Sequence, residues 1–300
     1  MKVLLCGDMD AAETALWHAA LAAALPEARW LDLAAARARP AEVQFAVVAN
    51  PPPGSLQGLP HLGLIQSLWA GVDRLLADAT LPAGVPIARM VDPAMSAAMA
   101  ETALWAVLSL QRDFFVYARQ QQQGVWLPHA QRRADDLRVL VLGQGAMGGA
   151  TVERLVPLGY RVTGWRRDGS ALAPLLTQAD IVVNLLPLTP ETRGLLDARF
   201  FAALPAGAAV VNLARGAHVV DADLLAALDG GQLRHAVLDV FHTEPLPAGH
   251  PFWTHPRVTV LPHAAAATDP RSAAAVAAAN LRAARDGRPI AHLVDRHRSY

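Results

Sequence analysis

The 300-residue chain holds one cysteine and one lysine. With Cys6 alone, no intrachain disulfide can form, and its place in the apolar run Val3 to Cys6 makes it an inert core thiol, not a nucleophile. The scarcity of lysine beside abundant arginine and alanine reflects a biased genome and says nothing of function. Net charge is lacking too. The 26 basic and 26 acidic residues cancel, which gives no pull toward nucleic acid or an anionic membrane. Arg132-Arg133 and Arg296 to Arg298 read as solvated faces or loop ends. No uninterrupted apolar run reaches the length of a membrane span. Lys2 and a short strand-like run into Gly7-Asp8 do not make a signal peptide, so a cytoplasmic protein is expected. Spacings of the H-E-x-x-H or paired-cysteine kind are absent, so no metal is expected. The G-x-x-x-x-G-K phosphate loop and the G-x-S-x-G elbow are absent as well.

Apolar surface is what the chain has. Hydrophobic residues make up 53% of it, ample for a packed core, and the length suits two domains. The most informative stretch is Leu137 to Arg167. Val139 to Leu142 is a continuous apolar run, as a buried parallel strand reads. Gly143-Gln144-Gly145-Ala146-Met147-Gly148 follows at once. A helix from about Ala146 to Leu158 comes next, weakened late by Pro157 and stopped by Gly159. A second strand runs from Tyr160 to Trp165. This is the G-x-G-x-x-G fingerprint in its strand–loop–helix setting. Gly143 allows the tight turn, Gly145 leaves room for a pyrophosphate, and Gly148 lets the helix pack on the strand. The helix start at Ala146 and Met147 offers its N–H groups to the phosphates.

The end of the second strand bears on the cofactor. An NAD-binding unit carries Asp or Glu there, about 20 residues on, to hold the ribose 2′-OH. Thr163-Gly164-Trp165-Arg166-Arg167 has no acid, and Asp168 comes one position past the arginines. Two guanidinium forks suit a 2′-phosphate. NADP(H) is therefore expected to be preferred, with NAD(H) still possible.

Elsewhere strand-like and helix-like segments alternate, which argues for parallel α/β architecture. Val3 to Cys6, Phe45 to Val48, Leu64 to Leu68 and Ile87 to Val91 read as strands, with a helix over Ala11 to Leu25. Ala94 to Gln123 reads as a long helical stretch broken once. Further strands are expected at Asp180 to Leu185, Ala209 to Leu213, Ala236 to Val240 and Val258 to Leu261. Thr268 or Asp269 caps a last helix, with Pro270 in its first turn. That helix returns to the first domain. The expected division is residues 1–95 plus 268–300 for one domain and 96–267 for the other.

In open α/β sheets ligands bind beyond the carboxyl ends of strands. Three ionisable residues fall at such ends: Arg215, Glu244 and His263. Hydride transfer to a 2-oxo acid needs a cation to hold the carboxylate and polarise the carbonyl, a proton donor for the new alkoxide, and a group that orients the donor. Arginine, histidine and a carboxylate supply these in turn. Taken singly, Arg215 fits a surface turn, Glu244 a cap before Pro245, and His263 a satisfied loop histidine. Their shared placement at successive strand ends favours the chemical role. His242, His250 and His255 read as solvated loop residues.

Asn212-Leu213-Ala214-Arg215-Gly216, Leu238-Asp239-Val240-Phe241 through Glu244-Pro245 and Leu261-Pro262-His263, in that order behind the glycine loop, resemble the signatures of the D-isomer-specific 2-hydroxyacid dehydrogenases. Within that family the chain is most similar to the glyoxylate/hydroxypyruvate reductase A group. It shares the Leu185-Leu186-Pro187 strand end, Trp165 with basic residues after it, Trp126-Leu127-Pro128 and the tail Val294-Asp295-Arg296. The resemblance implies two doubly wound parallel-sheet domains, a flavodoxin-like substrate domain and a Rossmann dinucleotide-binding domain, with a cleft between them. It implies NADPH-dependent reduction of glyoxylate to glycolate and hydroxypyruvate to glycerate by a homodimer. The alternatives are a bulkier D-2-hydroxy acid or a non-catalytic dinucleotide sensor. It places Leu186, Pro187, Asp239 and Trp165 at the cofactor, the backbone N–H groups of the Ala70-Gly71-Val72 loop at the substrate carboxylate, and Trp69 beside that loop on the substrate side. Trp126 either reaches a partner subunit's site or is an interface or core tryptophan. Trp69 departs from the small residue usual there. It either narrows the pocket or packs under the loop.

Overall fold

The computed structural model describes residues 1–167, 170–296 and 298. Asp168 and His297, both considered above, lie outside the described residues. The chain forms two compact units, Met1–Ala94 with Thr268–Tyr300, and Met95–Ala267. In chain order the elements are β1 (Lys2–Gly7), α1 (Ala11–Ala24), β2 (Arg29–Leu31), α2 (Leu33–Ala38), β3 (Phe45–Ala49), β4 (Leu64–Ser67), α3 (Asp73–Leu76) and β5 (Ile87–Ala88). Then come α4 (Pro93–Gln111), α5 (Phe114–Gln122), β6 (Arg138–Leu142), α6 (Ala146–Leu155), β7 (Arg161–Trp165), α7 (Ala173–Leu176) and β8 (Ile181–Asn184). The chain continues with α8 (Ala198–Ala203), β9 (Ala208–Asn212), α9 (Asp221–Asp229), β10 (Leu233–Leu238), β11 (Val258–Val260) and α10 (Pro270–Arg285).

The first unit is a five-stranded parallel sheet in the order β2-β1-β3-β4-β5. Successive side chains of a strand point to opposite faces. Val3 and Leu5 accordingly pack with Trp17 and Leu21 of α1 and with Ala274, Ala277 and Leu281 of α10. Leu4 and Cys6 pack on the other face with Ala36, Leu56 and Leu75. Alanine along α10 lets that helix lie close against the sheet. Asp269 caps it, its side chain accepting from the Arg271 N–H, and Pro270 opens it. The edge strand β2 is three residues long, too short to show a period in the sequence. The expected strand from Ile87 to Val91 ends at Ala88, because Met90 donates instead to the Trp69 carbonyl at 3.1 Å.

The second unit is a six-stranded parallel sheet in the order β11-β10-β9-β8-β6-β7. Val139, Val141, Ile181, Val183 and Val211 face α4, through Ala103, Ala106, Val107 and Leu110. Leu140, Leu142, Val182, Val210 and Leu238 face α8 and α9, through Phe200, Phe201, Leu224 and Leu228. Helix α4 has the length and apolarity of a bilayer-crossing helix, and half of that stretch is buried within the protein. The expected long helix does break once, at Asp113, whose φ of 55° turns the chain between α4 and α5. The expected helix to Leu158 is shorter. It ends at Leu155, and Pro157, which cannot donate a helical bond, sits in a 3₁₀ turn over Val156–Leu158. Gly159, at φ 92°, closes that turn.

Candidate active site

The strand order of the second unit reverses between β6 and β8, where an open α/β sheet leaves a crevice at its carboxyl edge. The glycine loop stands there. Gly143 has φ 95°, and a Cβ on it would sit 2.6 Å from the Leu185 carbonyl oxygen. A Cβ on Gly148 would meet the Gly143 carbonyl oxygen at 1.7 Å, so only glycine brings the helix this near the strand. Gly145 differs. Among the described residues, a Cβ there would meet no atom within 4 Å, and no side chain caps the N-terminus of α6 that it opens. Space above Gly145 and uncapped N–H groups at Ala146 and Met147 make a cradle that fits a pyrophosphate.

At the end of β7 the Trp165 ring, expected at the cofactor, is 7% exposed and packs into the apolar core, with Nε1 donating to the Ser170 carbonyl at 3.1 Å. The large apolar ring is buried with Leu140 and Leu142. Its carbonyl instead supports the glycine loop, accepting from the Gly143 N–H at 2.8 Å. Arg166 and Arg167 follow at the surface. Arg167 Nη1 lies 3.2 Å from Glu191 on the loop after β8, with both side chains more than half exposed. Leu186, on that same loop, is buried, and Pro187 is half-buried.

Arg215 lies past the end of β9 in extended backbone, half-buried, with Nη1 donating to the Ala214 carbonyl at 2.7 Å. Gly216 after it is required by packing. A Cβ there would lie 1.9 Å from the Phe241 carbonyl carbon. Beneath the arginine, three side chains with 0% exposure meet: Asn184, Asn212 and His218. Sequence reasoning missed them. The available signal was an asparagine ending each of two otherwise apolar strands, Val182-Val183-Asn184 and Val210-Val211-Asn212.

Glu244 and His263 stand together. Glu244 Oε2 lies 2.7 Å from His263 Nδ1, and Glu244 Oε1 accepts from the Phe241 N–H at 2.9 Å. An ionised carboxylate only accepts, so Nδ1 carries the proton toward it and Nε2 is left for other chemistry. His263 has φ 54°, a left-handed conformation that non-glycine residues seldom hold except where surroundings impose it. Asp239 imposes it. Its carbonyl accepts from the His263 N–H at 2.9 Å, and its carboxylate accepts from the Ala264 N–H at 2.7 Å and the Ala265 N–H at 3.2 Å. Asp239, expected at the cofactor, is 1% exposed, and its bonds fasten the histidine loop. Burial pushes its carboxyl pKa up, against the pull of those two N–H groups.

His250 and His255 are not solvated, contrary to expectation, with side chains 21% and 11% exposed. His250 accepts from the Phe252 N–H and faces Asp221 at 3.4 Å, while His255 accepts from the Arg257 N–H and faces Asp229 at 3.2 Å. Both tie loops of the sheet edge to α9. His242 is nearer expectation, about half exposed, with Nε2 2.8 Å from the Val219 carbonyl. Among the described residues, no group of three His, Cys, Asp or Glu could hold a metal ion.

In the first unit, the Trp69 ring packs edge-on against Trp17 at 6.1 Å, which favours the packing role over a narrowed pocket. The N–H groups of Ala70 and Gly71 past β4 donate to no acceptor among the described residues. Trp126 is 98% exposed, so it is no core residue of this chain.

Residues 104–265 match the D-isomer specific 2-hydroxyacid dehydrogenase, NAD binding domain. The chain belongs to this family. The matched span includes the glycine loop, both arginines and all of Arg215, Glu244 and His263. The glyoxylate/hydroxypyruvate reductase A of Serratia proteamaculans is 41% identical over 296 residues, covering 93% of this chain and 94% of that protein. The reductase of the same name from Yersinia enterocolitica is 38% identical over 305 residues, covering 96% and 97%. Among solved structures, a family member from Xanthobacter autotrophicus in complex with NADPH and MES superposes with a TM-score of 0.93 at 40% identity, over 100% of this chain and 99% of that one. An NADPH-dependent glyoxylate/hydroxypyruvate reductase from Sinorhizobium meliloti, in complex with NADP and sulfate, gives 0.92 at 32% identity over the same shares.

Proposed function

We propose that the chain is an NADPH-preferring reductase of small 2-oxo acids, glyoxylate and hydroxypyruvate foremost, and that Arg215, Glu244 and His263 carry the reaction. The 2.7 Å His263–Glu244 pair, held at the rim of a sheet whose glycine loop fits a dinucleotide, is the main support. NADPH, when bound, supplies the hydride for the carbonyl carbon. Arg215 holds the substrate carboxylate and polarises the carbonyl oxygen by charge-assisted bonds. His263 gives its Nε2 proton to the oxygen as negative charge develops there. Glu244 keeps Nδ1 protonated, aims the ring and stabilises the imidazolium. The Ala70 and Gly71 N–H groups add donors for the carboxylate. Gly143, Gly145, Ala146, Met147 and Gly148, with Leu186 and Pro187, hold the dinucleotide, and Arg166 and Arg167 take its 2′-phosphate. Residues 1–95 with 268–300 then form the substrate domain, and 96–267 the dinucleotide-binding domain.

We also propose a homodimer acting in the cytoplasm. Support for the dimer is the apolar surface on the second unit: Trp126 at 98%, Trp105 at 41% and Phe114 at 48% exposure. Such surface is costly to leave in water.

The deciding assay follows NADPH absorbance with glyoxylate, hydroxypyruvate, pyruvate and a bulkier 2-oxo acid, then repeats the series with NADH. Turnover of the two small acids with NADPH is expected. Turnover with NADH alone would remove the 2′-phosphate role from Arg166 and Arg167. Tight NADPH binding without turnover of any acid would make the protein a dinucleotide sensor.

A further inference from the structure

The buried side chains beneath Arg215 form a network whose polarity can be worked out from its backbone partners. Asn184 ends β8, Asn212 ends β9, and the two are paired in register across the sheet. Asn212 Nδ2 donates to the Arg215 carbonyl at 2.9 Å, which leaves Asn212 Oδ1 as an acceptor. Asn184 Nδ2 donates to that oxygen at 3.0 Å and to His218 Nδ1 at 2.9 Å. Asn184 Oδ1 accepts from the Leu186 N–H at 3.2 Å, which orients this amide independently. His218 Nδ1 therefore accepts, and Nε2 carries the ring proton toward the Pro187 carbonyl at 3.3 Å. One histidine thus joins the loop after β8, where Leu186 and Pro187 lie, to the loop after β9, where Arg215 lies.

We propose that His218 is a positioning residue for the reductase, acting through Asn184 and Asn212 to set the backbone of Arg215 relative to the Leu186–Pro187 strand end. The proposal rests on the reductase reading above. Buried polar groups are costly when any member is unmatched, so a network of this kind holds one arrangement of its loops and rejects near alternatives. An apolar filler would pack the same space without specifying where the Arg215 carbonyl sits. The arrangement also reaches the acid of the catalytic pair. Gly216 lies against the Phe241 carbonyl, and the Phe241 N–H is held by Glu244, so a displaced Arg215–Gly216 segment displaces the Glu244 loop with it.

Three variants of the full chain test this. His218→Leu removes the contacts of both ring nitrogens. His218→Asn keeps an acceptor near the place of Nδ1. His235→Leu is a control. His235 is 7% exposed near the amino end of β10 and bonded to Thr259, so its loss affects stability without touching the strand ends. His218→Leu is expected to lower kcat/KM for glyoxylate about tenfold or more, mainly through KM, because small misplacements of a substrate-holding group are amplified in rate. His218→Asn is expected to recover to within about threefold of wild type, since it restores the acceptor that Asn184 needs. His235→Leu lowers Tm and leaves KM unchanged. If His218→Leu does not fold, His218→Gln, which keeps a donor near Nε2 and loses the Nδ1 acceptor, replaces it. A His218→Leu enzyme with lower Tm but wild-type kcat and KM would overturn the proposal, and so would equal losses in the leucine and asparagine variants. Should the wild type turn over no 2-oxo acid, the reductase reading is what fails. The network is then read from NADPH affinity, expected to weaken at least about threefold in the leucine variant alone because Leu186 and Pro187 move. Unchanged affinity would overturn it.

Discussion

Three separate constraints converge on His263, the residue proposed to carry the chemistry. Glu244 selects its tautomer, Asp239 holds its backbone, and its φ of 54° marks a conformation kept against local preference. His263→Ala should lower kcat by about 10²- to 10⁴-fold, the usual range for a lost general acid, while NADPH Kd stays within about threefold. Stopped-flow turnover and fluorescence titration of NADPH would check both halves, and near-normal turnover would remove His263 from the mechanism. His235 poses the opposite case. Burial, with Arg119 and Arg234 nearby, lowers its pKa from 6.5 to about 3. The folded state then binds this proton less readily than the unfolded chain. The contribution of this group to stability is full above pH 6.5 and is lost as pH falls from 6.5 toward about 3. His235→Leu should therefore lose less Tm than wild type between about pH 6.5 and pH 4.5, as differential scanning fluorimetry would show. Cys6 behaves as its apolar run suggested. It is 8% exposed, and burial pushes its thiol up to about 12. The proposed catalytic residues were legible as candidates because each follows a strand end within a recognisable run. Asn184, Asn212 and His218 were not, since a polar residue after a strand reads as a turn until its partners are placed.

The elements that shape the site are held by close approaches as much as by apolar burial. Gly148 is the clearest. A Cβ would overlap the Gly143 carbonyl oxygen, which belongs to rigid backbone and cannot swing aside. Gly148→Ala should separate α6 from β6, weaken NADPH binding about tenfold or more and lower Tm, because a fixed backbone must move to admit the methyl group. Calorimetric NADPH titration and a thermal melt would check it, and unchanged affinity would refute the packing role. Helix α10 is held differently. Leu281 is 0% exposed against the first unit's sheet, and Leu281→Ala should cost about 2–5 kcal/mol by denaturant titration, with no direct effect on NADPH affinity. Long apolar runs such as Val139 to Leu142 announced their strands. The ends of helices did not follow from period alone. Pro157 shortened α6, and Asp113 divided the stretch from Ala94 to Gln123.

For the molecule as a whole, the proposed homodimer is tested at the exposed Trp105, Phe114 and Trp126. Size-exclusion chromatography with light scattering should give about twice the 31.8 kDa chain mass, and Trp126→Ala together with Phe114→Ser should shift it toward monomer, since buried aromatics dominate interface energies. A monomeric wild type at micromolar concentration would reject the dimer. The amino-acid order alone determined the α/β class, the dinucleotide fingerprint, the paired arginines and the strand-end positions of Arg215, Glu244 and His263. Each of these is a local pattern, a period or a spacing within one segment of chain. Tertiary structure decided what contacts between distant segments decide: the strand order that places β6 beside β8, the burial of Trp165, the turning of Asp239 under the histidine loop, and the meeting of Asn184, Asn212 and His218. Those contacts join residues tens of positions apart, and no local period encodes which of many possible partners a buried polar group will find.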